Sequence, residues 1–80
     1  MKTLSYTKAA RRAWRRLPVE AQQRIEAALV RYAETGHGDV KTLSGAGGAR
    51  LRAGDYRAIF IETEETIEVV AIGHRKDIYR

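Results

Sequence analysis

The sequence predicts one α+β domain spanning residues 1–80: a short N-terminal strand, a two-helix hairpin, then a three-stranded antiparallel meander, with the helices packed on one face of the sheet. Three observations point there. Apolar residues recur at helical spacing between Ala10 and Tyr32, the period changes to two after Gly48, and glycine-bearing stretches around Gly36 and Gly45 separate the two regimes. Eighty residues suffice for one small domain and no more.

Lys2 to Tyr6 alternates and is rich in strand-favouring residues, so it reads as the first strand. Thr7 is placed to cap a helix in which Ala10, Ala13, Trp14 and Leu17 form a narrow apolar stripe. Lys8, Arg11, Arg12, Arg15 and Arg16 follow the same spacing on the opposite side. Pro18 lacks an amide proton and disfavours helical geometry at Leu17, so it ends this helix and starts another. Ala21, Ile25, Ala28, Leu29 and Tyr32 carry the second helix to Thr35, and Gly36 is its natural stop. Gly36–Asp39 and Ser44–Gly48 read as loops around Val40–Leu43. Ala49, Leu51 and Ala53 then point one way and Arg50 and Arg52 the other. Gly54-Asp55 marks a turn, Tyr56–Thr63 the next strand, Glu64-Glu65 another turn and Thr66–Gly73 the last strand. Both long strands are apolar on both faces, more than two helices can cover, so the far face is expected to be a site or to meet a partner.

Composition bounds the function. Hydrophobic residues at 44% and charged residues at 31% describe a globular chain. Cysteine is absent, which excludes disulfides, thiolate nucleophiles and cysteine-based zinc sites. No signal-like segment or membrane-length apolar run occurs, and the expectation is a cytoplasmic protein without membrane association. The net charge is +5, and the excess lies in residues 1–35, where eight bases face three acids; the remainder balances seven against seven. Eleven arginines against four lysines suit a phosphate-rich partner, because the guanidinium fork matches phosphate geometry.

Gly45, Gly47 and Gly48 do not make a nucleotide-binding loop, since no Lys-Ser or Lys-Thr follows and the stretch precedes a strand. His37 lies between glycines and reads as a solvated loop residue. His74, next to Arg75 and Lys76, is a candidate general acid or base. Neither has the partners of a metal site, and no cofactor is expected. Arg50, Arg52, Arg57 and Arg75 lie on or beside apolar strands, where an arginine is costly unless paired or facing a groove. Asp55, Asp77 and the glutamates are possible partners. Convergence on one face would instead hold a phosphate and stabilise charge developing on it.

Arg50-Leu-Arg-Ala-Gly-Asp-Tyr-Arg57 followed by Ala58-Ile-Phe60, with Gly73-His-Arg-Lys-Asp-Ile-Tyr-Arg80 at the end, resembles the RelE branch of the RelE/ParE superfamily of bacterial toxins. Tyr6-Thr-Lys-Ala-Ala10, Leu17-Pro18 and Lys41-Thr-Leu-Ser-Gly45 support the likeness in order, so that it spans almost the whole chain. The resemblance implies the strand, two helices and curved meander read above. It also implies the toxin of a type II toxin–antitoxin system: a metal-independent endoribonuclease (mRNA interferase) cutting mRNA in the ribosomal A site. The implied partners are the ribosome, mRNA and a RelB-like antitoxin that wraps the toxin and contributes operator DNA binding.

On this resemblance the arginine of the Tyr-Arg pair falls on Arg57, that of the Gly-x-Arg element on Arg75, the near-terminal tyrosine on Tyr79 and the basic position opening Arg-Leu-Arg on Arg50. Gly48 stands where some relatives carry another lysine. In RNA cleavage by 2′-hydroxyl attack on the adjacent phosphate, Arg57 and Arg75 are expected to clamp phosphate and stabilise transition-state charge. Arg50 orients phosphate, Tyr79 stacks on a base or positions the 2′-hydroxyl, and His74 or Tyr79 moves protons. Lys8, Arg11, Arg12, Arg15, Arg16, Arg52 and Lys76 are the expected RNA- and ribosome-binding residues. Two alternatives remain open: a ParE-like DNA gyrase inhibitor on the same fold, and a non-catalytic ribosome- or RNA-binding module using the basic helix.

Overall fold

The computed structural model describes residues 1–43 and 48–78. Its elements run β1 (Thr3–Tyr6), α1 (Lys8–Arg15), α2 (Val19–Thr35), β2 (Val40–Thr42), β3 (Ala49–Ala53), β4 (Tyr56–Glu62) and β5 (Thr66–His74). The strands form one sheet in the order β1-β5-β4-β3-β2, with β1 parallel to β5 and every other pairing antiparallel. The α+β arrangement is the expected one, and the sheet has a further strand: Val40–Thr42, which in sequence reads only as chain between loops, pairs with Leu51, Arg50 and Ala49 to make one edge.

Local chemistry sets the helix ends. Thr7 is extended, and its Oγ1 accepts from the Ala10 N–H at 3.1 Å, satisfying one orphan amide of α1. The helix stops at Arg15, before Leu17-Pro18. There Gln22 Nε2 donates to the Trp14 carbonyl at 2.9 Å while Trp14 Nε1 donates to the Gln22 carbonyl at 3.4 Å, tying the hairpin together. Gly36 ends α2 at φ +75, the left-handed conformation that glycine adopts without a Cβ penalty.

The core lies between the helices and one sheet face. Ile25 and Leu29 of α2 and Ala10 of α1 meet Leu51, Ala58, Phe60, Ile67 and Val69, all shielded completely from solvent. The doubly apolar appearance of β5 has a specific cause. Ile59 pairs with Ala71 but Phe60 with Val69, so Val70 is an extra, bulged residue. The bulge inverts the strand's parity and puts Ile72 on the same face as Ile67 and Val69. On β4 the second apolar set is genuine: Ile59 and Ile61 face away from the helices, and Ile61 is 43% exposed.

At the opposite end, Lys2 Nζ donates to Glu62 Oε2 and to the Thr63 carbonyl, both at 2.7 Å, and Tyr32 Oη donates to Glu62 Oε1 at 2.7 Å. The chain start, α2 and the end of β4 thus converge on one carboxylate. The Lys2 hydrogen bond chiefly, with help from Tyr32, holds the Glu62 carboxyl below the usual glutamate range. Its folded pKa is depressed, so the stabilisation is present above the ordinary carboxylate range and is lost as pH falls through and below it. Glu62→Gln is therefore expected to lower the melting temperature at neutral pH and to flatten its decline towards acid. Melting temperatures of wild type and variant that stay parallel to within about one degree from pH 6 down to pH 3 would refute this role.

Candidate functional site

Strand alternation and register build a cationic face opposite the helices. Leu51, Ala58 and Ile72 point into the core, so their neighbours Arg50, Arg52, Arg57 and Gly73 face outward. Lys41 pairs with Arg50 and Arg50 with Ile59, while the adjacent row runs Arg52, Arg57, Gly73. Four cations from three neighbouring strands share this end of the face, with Ile59 and Ala71 as apolar floor beside them.

Arg57 is the buried member, at 9% exposure. Its Nη1 donates to the carbonyls of Gly54 at 2.7 Å and Tyr56 at 3.0 Å. Among the described residues no carboxylate lies within 4.0 Å of it. A guanidinium held by neutral carbonyls keeps its full charge and the donors of its remaining edge for an anionic ligand. Arg50 is half-buried with its Nε shielded from solvent. Arg52 lies directly opposite Arg57, an unfavourable like-charge pair that Asp39 offsets at 3.9 Å from Arg52 Nε.

The segment after β5 folds back towards this face. The Asp77 and Ile78 N–H groups both donate to the His74 carbonyl, forming a tight turn. A Cβ built on Gly73 would lie 3.7 Å from Ile78 Cβ, so Ile78 stands over Gly73, the cross-strand neighbour of Arg57. Arg75 reaches the β3–β4 turn: its N–H donates to the Asp55 carbonyl at 2.8 Å, and its Nε is 3.9 Å from Asp55 Oδ1. Lys76 is exposed in the same turn. Tyr79, expected at the site, lies outside the described residues, as does the glycine loop at Gly45 and Gly47.

His74 does not join this face. The strand extends through it and pairs it with Tyr56, so both side chains project to the helix side, where their rings meet edge-on at 5.5 Å. Its Nδ1 accepts the Lys76 N–H at 3.2 Å. Lys41 is the cation that the sequence does not assign to the site, because no strand is legible at Val40–Thr42. Its one signal is the alternation of inward Val40 and outward Lys41. At Gly48, a Cβ would lie 3.3 Å from the Phe60 carbonyl, so a lysine at this position requires the backbone to move apart slightly.

The second basic surface is on the other layer. Lys8, Arg11, Arg12 and Arg15 line a shallow groove on α1, and Arg16 caps its end. Arg11 is also committed inward: its guanidinium stands 5.4 Å from the Tyr6 ring centroid, in a small recess with Trp14 and Glu26. Burial, followed by the Glu26 charge, pushes the Tyr6 hydroxyl pKa up. Among the described residues, no cluster of three or more histidines and carboxylates could hold a metal ion, and no helix is long and apolar enough to cross a membrane.

Comparison with known proteins places the chain in context. The family model described as the ParE toxin of the type II toxin-antitoxin system, parDE, matches residues 4–79. No curated protein matches. Among solved structures, the chain is similar to a chain of the archaeal RelE–RelB complex from Pyrococcus horikoshii, with a TM-score of 0.79 at 22% identity, over 95% of this chain and 97% of that one. It is similar to a chain of the intact Escherichia coli RelBE complex, with a TM-score of 0.76 at 21% identity, over 92% and 96%. A likeness to the RelBE2 toxin–antitoxin complex of Mycobacterium tuberculosis has a TM-score of 0.69 at 28% identity, over 92% and 98%.

Proposed function

The chain belongs to the ParE toxin family of type II toxin–antitoxin systems, within the RelE/ParE superfamily, and we propose that it is a RelE-type endoribonuclease that cleaves mRNA, in the ribosomal A site, without a metal or other cofactor. The observation that carries this reading is the outward-facing patch of Lys41, Arg50, Arg52 and Arg57 on three adjacent strands, which includes a buried arginine with no carboxylate partner among the described residues. Such an arrangement binds a phosphate and stabilises the extra charge of its pentavalent transition state. In the proposed reaction the ribose 2′-oxygen attacks phosphorus, its proton leaves to a base, and the departing 5′-oxygen is protonated. Arg57 and Arg75 hold the non-bridging oxygens, and Arg50 with Lys41 orients the neighbouring phosphates. Arginine stays protonated at pH 7 and does not serve as the base. Of the carboxylates near this face, Asp39 and Asp55 are engaged with Arg52 and Arg75, and Glu68, paired with Ile61, lies about 13 Å along the sheet from Arg57 at ~3.3 Å per residue. Proton transfer is therefore assigned to Tyr79, which follows Ile78, with His74 kept to strand-end packing.

The basic groove of α1 is assigned to docking on ribosomal RNA. Neutralising Arg12, Arg15 and Arg16 is expected to weaken ribosome association and to lower the slope of log affinity against log salt by up to about 0.9 for each phosphate no longer neutralised. Sedimentation at several salt concentrations measures this, and an unchanged slope removes α1 from the interface. A RelB-like antitoxin is the proposed inhibitory partner, because the similar chains occur in RelB–RelE complexes; the toxin is proposed to act in the cytoplasm.

The family model bears the ParE name, which favours a second reading, inhibition of DNA gyrase by binding. Mapping RNA 5′ ends after brief induction without antitoxin separates the two. New ends within translated codons support cleavage. Intact transcripts with an induced DNA-damage response support gyrase poisoning, and intact transcripts with toxin bound to ribosomes support a non-catalytic module.

A further inference from the structure

The two arginines assigned to the phosphate come from β4 and from the segment after β5 but are tethered to the same turn. Arg57 Nη1 donates to the Gly54 carbonyl at 2.7 Å, and the Arg75 N–H donates to the Asp55 carbonyl at 2.8 Å. The Asp55 carboxylate adds a second hold, with Oδ1 3.9 Å from Arg75 Nε. Gly54 adopts φ +62, and a Cβ there would lie 2.7 Å from Arg24 Nη1 and 3.4 Å from Arg24 Cδ. The Arg24 side chain of α2 therefore lies directly against the turn.

We propose that the Gly54-Asp55 turn is the positioning element of the cleavage site, with Asp55 a positioning residue for Arg75. The inference rests on the cleavage reading above. An arginine with its side chain 56% exposed has many rotamers, and a phosphate clamp needs few. Fixing the backbone amide and approaching Nε from one side restricts the arginine while leaving both terminal nitrogens to the ligand. Arg52 is held in the same form by Asp39, through its N–H to the Asp39 carbonyl at 2.9 Å and a 3.9 Å approach of Nε to Oδ2. The same device thus occurs on both sides of Arg57. The turn requires glycine for its positive φ, whereas the nearby Arg24 atoms end a long, exposed side chain that can move aside.

The test combines kinetics with a measurement that needs no cleavage. On mRNA-programmed ribosomes, Asp55→Asn is expected to lower kcat by up to about fivefold with KM unchanged, the scale of one exposed ion pair. In an Arg75→Lys background the same change should have less effect. In the purified full-length toxin, solvent exchange of the Arg75 Nε–H, followed by 15N NMR, should quicken in Asp55→Asn while that of Arg57 does not change. Gly54→Ala, which strains the turn through its positive φ, should quicken exchange at both arginines. Equal kinetic effects of Asp55→Asn in both backgrounds, or undisturbed Arg75 exchange, would overturn the proposal. Should the wild-type chain cleave no RNA, the cleavage reading fails, while the exchange data still decide whether the turn positions these arginines.

Discussion

Arg57→Ala is expected to reduce RNA cleavage by on the order of 10²–10³-fold and to abolish growth arrest, with the protein still folded. The magnitude is that of losing one preorganised donor to developing oxyanion charge. Arg57 fits that role because its side chain is already desolvated and oriented: 9% exposed, with both hydrogen bonds made by Nη1 to carbonyl oxygens of its own turn. Little reorganisation is left for the moment of reaction. The same environment limits the stability cost. Removing the guanidinium gives up two charge-assisted hydrogen bonds, about 1.5–3 kcal/mol each, a loss partly offset by relief of the repulsion from Arg52 directly across the ladder. Arg57→Lys keeps the charge and loses the planar fork, so intermediate activity is expected. A folded Arg57→Ala protein that arrests translation as fully as wild type would remove this residue from the site.

Thr7, Leu17-Pro18 and Gly36 each act through local backbone chemistry, so the helix ends are legible in the sequence, and the structure places the boundaries at or within two residues of them. The outward parity of Arg50, Arg52 and Arg57 follows from Leu51 and Ala58 between them, which makes that part of the site legible as well. Three features are not. Val40–Thr42 is too short to show a period and becomes a strand only because β3 offers it partners. The bulge at Val70 depends on how β5 meets β4, and without it the strand reads as apolar on both faces. His74 reads as lying just past the last strand. Extending that strand by one residue, to pair with Tyr56, turns its ring to the helix side.

Phe60→Ala is expected to abolish toxicity by a different route, unfolding. Phe60 is fully buried, lies at the register shift of β4, and packs its ring 5.4 Å from Tyr32 of α2. Truncating a buried phenylalanine costs about 3–5 kcal/mol, from the transfer free energy of the ring and the cavity it leaves. A domain of this length has on the order of 4–12 kcal/mol in total. The variant should therefore melt far below wild type or fail to fold, with a lower urea midpoint, whereas Phe60→Leu should lose much less. Arg57 sits on the same strand with its side chain on the other face, so the two alanine variants dissect one element into a packing side and a chemical side. An antitoxin that binds only the folded toxin should raise the Phe60→Ala midpoint as its concentration increases, by mass action, without restoring any activity to Arg57→Ala. If the stability of Phe60→Ala is within about 1 kcal/mol of wild type, the helix-facing side of β4 is not the centre of the core, and the outward assignment of Arg57 loses its structural basis.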